Sequence, residues 1–212
     1  MSESGSIPGV FIIESLKLQD EEKQLYEGKI ISNILDLNQI KNKYYYIRTL
    51  IEFKEILVLF QNSRYRYLHI SCHGADGAIA LTIDRITYSD LGDILKPYLL
   101  DKRLFLSACS SVNNKNAVAI IPKSQCYSLI GPLRDIEFRD ATIVWASFYH
   151  LMFKQNASSM IRENLIKNMQ KVVNTFQEPM NYYSRSKSKV VKRKIIKVQE
   201  TTTTLTEAAQ IS

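Results

Sequence analysis

Residues 68–77 read LHISCHGADG: an apolar run that ends, at His73, in small and polar residues. Residues 104–111, LFLSACSS, do the same at Cys109. Short β-branched and apolar runs bounded by turn formers are the pattern of fully buried strands. The chain contains only 3 histidines and 3 cysteines. An imidazole and a thiol, each just past the end of a core strand, therefore set the question for the rest of the sequence.

Working outward from these two runs, strands and helices alternate. GVFIIES (9–15) reads as a first strand. DEEKQLYEGKIISNILDL (20–37) reads as one helix behind an acidic first turn. KYYYIRT is a short strand, and Thr49 with Glu52 forms a capping-box pattern opening the helix LIEFKEILVLFQN. YRYLHIS is the strand that delivers His73. AIALTIDRITY suits a hairpin, and Ser89 is placed to cap a helix over DLGDILKPYL. RLFLSA is the strand that delivers Cys109. Beyond it, SVNNKN reads as a polar loop and CYSLIGP as a fifth strand closed by Gly-Pro. Trp145, Phe148, Tyr149 and Met152 recur at helical spacing, and a second helix is expected around 157–173.

Such alternation predicts an α/β domain with a mainly parallel sheet. Ligands of such sheets bind outside the carboxyl ends of the strands. If the two strands are neighbours, His73 and Cys109 meet at one sheet edge. There the imidazole can take the thiol proton and later return it to a leaving group, which is the chemistry of a nucleophilic cysteine. Gly74 lets a backbone N–H approach closely, and the N–H of Cys109 is a second natural donor for a developing oxyanion. Ser107 and Ala108 leave the approach to sulfur uncrowded.

The runs HISCHG and LFLSACSS, with the later YSLIGPLRDIEFRDATIVWASFY, resemble the caspase-like cysteine peptidases of clan CD, and most closely the CHAT subgroup. The resemblance covers roughly residues 9–170 in element order. It implies a three-layer sandwich whose central, mainly parallel sheet is flanked by helices. It also implies a His73–Cys109 dyad with an oxyanion hole from the N–H groups of Gly74 and Cys109. Caspases place the histidine about 50 residues before the cysteine; the interval here is 36. By resemblance the protein is a cytosolic endopeptidase, a regulated effector in defence or death pathways with a separate activator or sensor. Metacaspase-type members carry an aspartate just before the cysteine that helps bind a basic P1 side chain. Ser107-Ala108 stands there instead, which leaves Asp76, Asp135 and Glu137 as loop acids for such a pocket. The competing reading is an inactive caspase-like module that binds a partner.

Other titratable groups have plainer readings. Cys72 and Cys126 suit packing, His69 lies mid-strand and His150 sits on the aromatic helix. The tyrosines at 44–46 and 182–183 suit packing or a rim. No metal or organic cofactor is implied, because the cysteine spacings do not match a zinc knuckle.

Composition agrees with a globular protein: 212 residues, 45% hydrophobic and 23% charged. The first residues lack a basic n-region, so no signal peptide is expected, and no run suits a membrane span. Three cysteines without such a signal argue for reduced thiols in the cytoplasm. The net charge of +7 is concentrated: residues 185–197 hold 7 Lys and Arg and no acid, leaving 21 bases against 21 acids elsewhere. The expected division is a peptidase domain over 1–180, then a basic and disordered segment over 181–212. The basic run suits an edge strand guarded by lysines. Nucleic-acid phosphates would use the same residues, but a neutral body disfavours that partner.

Overall fold

A computed structural model describes residues 6–75, 77–155, 160–186 and 191–199. Ten strands and seven helices follow along these residues. The order begins β1 (Ile7–Glu14), α1 (Leu18–Glu22), α2 (Glu27–Leu37), β2 (Asn42–Tyr46), α3 (Leu50–Ser63) and β3 (Tyr65–Ser71). It continues β4 (His73–Ala75), β5 (Ala78–Ala80), β6 (Arg85–Thr87), α4 (Tyr88–Leu95) and β7 (Arg103–Ser107). It ends α5 (Asn114–Ser124), β8 (Ser128–Pro132), α6 (Phe138–Gln155), α7 (Arg162–Phe176), β9 (Met180–Ser184) and β10 (Lys192–Ile196).

Seven strands form one sheet in the order β10-β9-β8-β7-β3-β1-β2. The five from β8 to β2 run parallel, and β9 and β10 add antiparallel at one edge. Both faces are covered, as a parallel sheet requires. On one face Phe53, Leu57 and Phe60 of α3, Leu91 and Leu95 of α4, and Ile120 of α5 pack on Phe11, Leu68 and Leu104. On the other, Ile31 and Leu35 of α2 join the aromatic stripe of α6 and residues of α7. Phe105 of β7 is the centre of that second layer, with ring centroids 5.8, 5.7 and 5.6 Å from Trp145, Phe148 and Tyr149. This is the expected three-layer sandwich, a mainly parallel central sheet flanked by helices.

Local signals act where expected. Thr49 and Glu52 close both halves of the capping box at the start of α3. Other elements differ from the sequence reading. The helix expected over 20–37 is broken: Gln24 takes a left-handed φ of 54°, separating α1 from α2. Thr87, not Ser89, caps α4, accepting from the N–H of Asp90 at 3.1 Å. A helix, α5, begins at Asn114 inside the loop expected at SVNNKN (111–116), with the Asn113 side chain accepting from the N–H of Asn116 at 3.0 Å.

The domain boundary expected after residue 180 falls inside β9. Tyr182 and Tyr183 of that strand are buried in opposite layers of the core. From the basic segment, β10 is the outermost strand, with Lys192, Arg193 and Lys194 exposed and Ile196 buried. Residues 200–212, read as disordered, lie outside the described residues. Among the described residues no helix is long and apolar enough to cross a membrane.

Candidate active site

Strands β3 and β7 are parallel neighbours, and their register pairs Ser71 with Ser107. His73 and Cys109 each lie two residues past that last pair. The ladder is extended by the N–H of Cys72, which donates to the Ser107 carbonyl at 3.0 Å. Both chains then turn over the carboxyl edge of the sheet, His73 into the small hairpin of β4 and β5, Cys109 toward α5. His73 and Cys109 border one cavity of about 360 Å³, with Leu25, Cys72, Ala108, Ile136 and Phe138 among its walls.

Each of the two is held by further contacts. The Cys109 thiol donates to the Ile136 carbonyl at 3.4 Å. His73 Nε2 lies 2.7 Å from Asp20 Oδ2, and the ring meets Phe138 edge to face with centroids 5.1 Å apart. Gly74 lies directly against Cys109: a Cβ there would stand 2.0 Å from the Cys109 carbonyl oxygen and 2.9 Å from its nitrogen. Only glycine fits that approach.

The floor of the cavity holds a carboxylate that sequence reading passed over, Glu27, which is 2% exposed. Trp145 Nε1–H donates to Ser107 Oγ at 2.9 Å, and the Ser107 hydroxyl donates to Glu27 Oε2 at 3.0 Å. His69 Nε2 lies 3.2 Å from Glu27 Oε1, and His69 Nδ1 lies 3.0 Å from the Tyr149 hydroxyl. Burial holds that hydroxyl protonated by pushing its pKa well above the ordinary value. Its proton is best spent on Nδ1, since turned elsewhere it would point into the apolar core. Nε2 then carries the ring proton and donates to Glu27. Both carboxylate oxygens are thus hydrogen-bonded, one to Ser107 and one to His69. Among the described residues no Lys or Arg pairs with Glu27, whose ionisable neighbour is His69, and the carboxylate borders the cavity.

A second buried acid lies close by. Glu14 accepts from the N–H of Gly28 at 2.7 Å and from the Tyr44 hydroxyl at 2.8 Å. Burial, which outweighs those bonds, and the nearby charge of Glu27 raise its pKa to about 7.

Of the three loop acids expected to serve a basic pocket, two lie among the described residues. Asp135 accepts from Ser110 Oγ at 2.7 Å and lines a separate polar cavity of about 370 Å³ on the other side of Cys109, beside Gly74 and Lys115. Glu137 is at the mouth of the first cavity, exposed, and paired with Arg139 at 2.8 Å. Asp76 lies outside the described residues. His69 is fully buried, while His150 is exposed on α6. Cys126 is sealed in the core, where burial pushes its thiol up to about 11. Cys72 is 4% exposed and its thiol is pushed up further still by burial. Among the described residues no group of three potential ligands could hold a metal.

No family model and no curated protein sequence matches the chain. Solved structures do. A secreted C11 cysteine protease from Bacteroides thetaiotaomicron, "iotapain", is 12% identical with a TM-score of 0.50, over 83% of this chain and 66% of that one. The separase of the Saccharomyces cerevisiae separase–securin complex is 14% identical with a TM-score of 0.47, over 81% of this chain and 11% of that one. At 12% identity the likeness to the C11 protease is one of fold, which agrees with the sheet order and layers described above.

Proposed function

We propose that this protein is a cysteine endopeptidase that cleaves after a basic residue, with Cys109 as nucleophile and His73 as general base and acid. The observation that carries the proposal is the register of β3 and β7, which brings both residues to one cavity beside a buried carboxylate. In the reaction the Cys109 sulfur attacks the scissile carbonyl carbon while His73 accepts the thiol proton. The C–N bond then breaks, His73 gives the proton to the leaving amine, and water hydrolyses the thioester with the same imidazole as base. The N–H groups of Gly74 and Cys109, forced together at the glycine, serve the tetrahedral oxyanion.

Glu27 supplies the substrate class. A Lys or Arg side chain has an aliphatic stem and a cationic head. The cavity offers apolar walls around the stem and, at its floor, a buried carboxylate with no Lys or Arg partner among the described residues. A cationic P1 head supplies that partner, which an apolar P1 residue does not. The thiol's bond to the Ile136 carbonyl supports a resting arrangement, consistent with a regulated effector that an activator switches on. Peptide-library profiling of the protein beside Cys109→Ala tests the proposal: cleavage after Lys or Arg, lost in the variant, is expected. Equal cleavage by the two would overturn it.

A further inference from the structure

We infer that Asp20 is the positioning residue of His73: its carboxylate accepts the Nε2 proton, fixes the tautomer, and leaves Nδ1 as the nitrogen that serves Cys109. The inference rests on the peptidase reading above. It starts from the 2.7 Å contact between Asp20 Oδ2 and His73 Nε2, made by side chains only 17% and 19% exposed.

The element carrying Asp20 exists mainly to hold it. α1 is five residues long and has no buried residue. A helix that short has no stability of its own in water. Polar ties anchor it instead, and they concentrate on the next residue, Glu21. That carboxylate accepts from Arg48 Nε at 3.0 Å, from Arg48 Nη2 at 2.6 Å, and from the Tyr46 hydroxyl. On the preceding side the Leu16 carbonyl accepts from Thr82 Oγ1 at 2.6 Å, and on the following side Leu25 N–H donates to the Asp20 carbonyl at 3.0 Å. The left-handed Gln24 then turns the chain so that Asp20 stays above the sheet edge while Glu27 goes beneath it.

The chemistry gives the contact a use. A histidine that accepts a thiol proton needs one nitrogen protonated and the other open. A carboxylate on Nε2 enforces that division, and its attraction strengthens when the ring becomes imidazolium. With Phe138 against the ring, the imidazole is fixed in both direction and tautomer.

The test uses the full chain with Asp20→Asn, Asp20→Ala, Asp20→Glu and Arg48→Ala, beside Cys109→Ala. Proton NMR reads the low-field imidazole N–H of His73. A peptidyl-arginine coumarin amide reads kcat and KM. In a fully buried triad, loss of the tautomer-fixing carboxylate costs roughly 10⁴-fold in kcat. Asp20 is partly exposed, so water can take its place in part. Asp20→Asn and Asp20→Ala are therefore expected to remove the resonance and to lower kcat by roughly 10- to 100-fold with KM little changed. Asp20→Glu should recover part of kcat, and Arg48→Ala should give a weaker form of the loss. Retention of kcat and of the resonance within about twofold in Asp20→Ala would overturn the inference, as would a fall in Tm alone. Cleavage undiminished in Cys109→Ala would instead sink the peptidase reading, and the resonance would still decide the Asp20–His73 contact.

Discussion

Ser107 donates to Glu27 at 3.0 Å across the floor of the cavity that Cys109 borders. The serine stands two residues before the cysteine, on the last rung shared by β3 and β7. In the proposed pocket the acid comes from α2 and the cysteine strand holds it in place through Ser107. Glu27→Gln keeps the size and the Ser107 bond but removes the charge. It should lower kcat/KM on peptides with P1 Arg or Lys by roughly 30- to 5,000-fold, the range for breaking a buried charge pair. Peptides with P1 Leu should be cleaved as well or better, since the variant no longer sets a carboxylate against an apolar side chain. Steady-state kinetics on matched pairs checks this, and equal losses on both would remove Glu27 from specificity.

The three thiols should differ sharply in reactivity. Cys72 and Cys126 are 4% and 0% exposed, and burial pushes both thiols upward. Cys109 is half-buried and faces the cavity. Limiting iodoacetamide at neutral pH should modify Cys109 first, as read by peptide mapping, and His73→Ala should slow that site selectively. Faster labelling of Cys126 would contradict the packing described above.

Gly74→Ala forces a Cβ to within 2.0 Å of the Cys109 carbonyl oxygen unless the hairpin moves. Moving it takes the Gly74 N–H away from the scissile carbonyl. A loss of roughly 100-fold or more in kcat is expected, the usual effect of deleting one oxyanion donor. Far-UV circular dichroism should be unchanged, since only a three-residue strand is displaced.

Glu14 couples stability to pH. Its folded-state pKa is raised to about 7 from the ordinary 4.5, because burial disfavours the anion. The stability this proton contributes is therefore fully present below about pH 4.5 and declines as pH rises to about 7. The span corresponds to an upper bound of about 3 kcal/mol. Urea unfolding of Glu14→Gln should show a shallower loss between pH 5 and 8 than the unsubstituted protein. Parallel curves would mean that Glu14 ionises alike in the folded and unfolded chains.

Much of the fold was legible because local and global signals agree. The apolar runs ending at His73 and Cys109, the Thr49–Glu52 box and the aromatic period of α6 each state one structure. The site's carboxylates were not legible, for a physical reason. Over 20–37 Leu25, Ile30, Ile31, Ile34 and Leu35 fall near helical spacing, and nothing marks the left-handed turn at Gln24. Without that turn, Asp20 and Glu27 read as solvated helix acids. α5 was hidden in a similar way: its Asn-rich start reads as a loop, yet Asn113 is its cap, and Pro122 near its end argues against helix. Tyr182 and Tyr183 point to opposite layers, a placement that only the pairing of β9 with β8 defines.

The central claim, that Cys109 is a nucleophile served by His73 in a pocket for a cationic side chain, is tested most directly by covalent trapping. A peptidyl-arginine chloromethyl ketone is incubated with the folded protein, and the adduct is located by mass spectrometry. The account predicts one adduct on Cys109, formed slowly in His73→Ala and in Glu27→Gln and not at all in Cys109→Ala. An adduct on Cys72 or Cys126 with Cys109 untouched, or a Cys109 adduct formed at the same rate without His73, would contradict it.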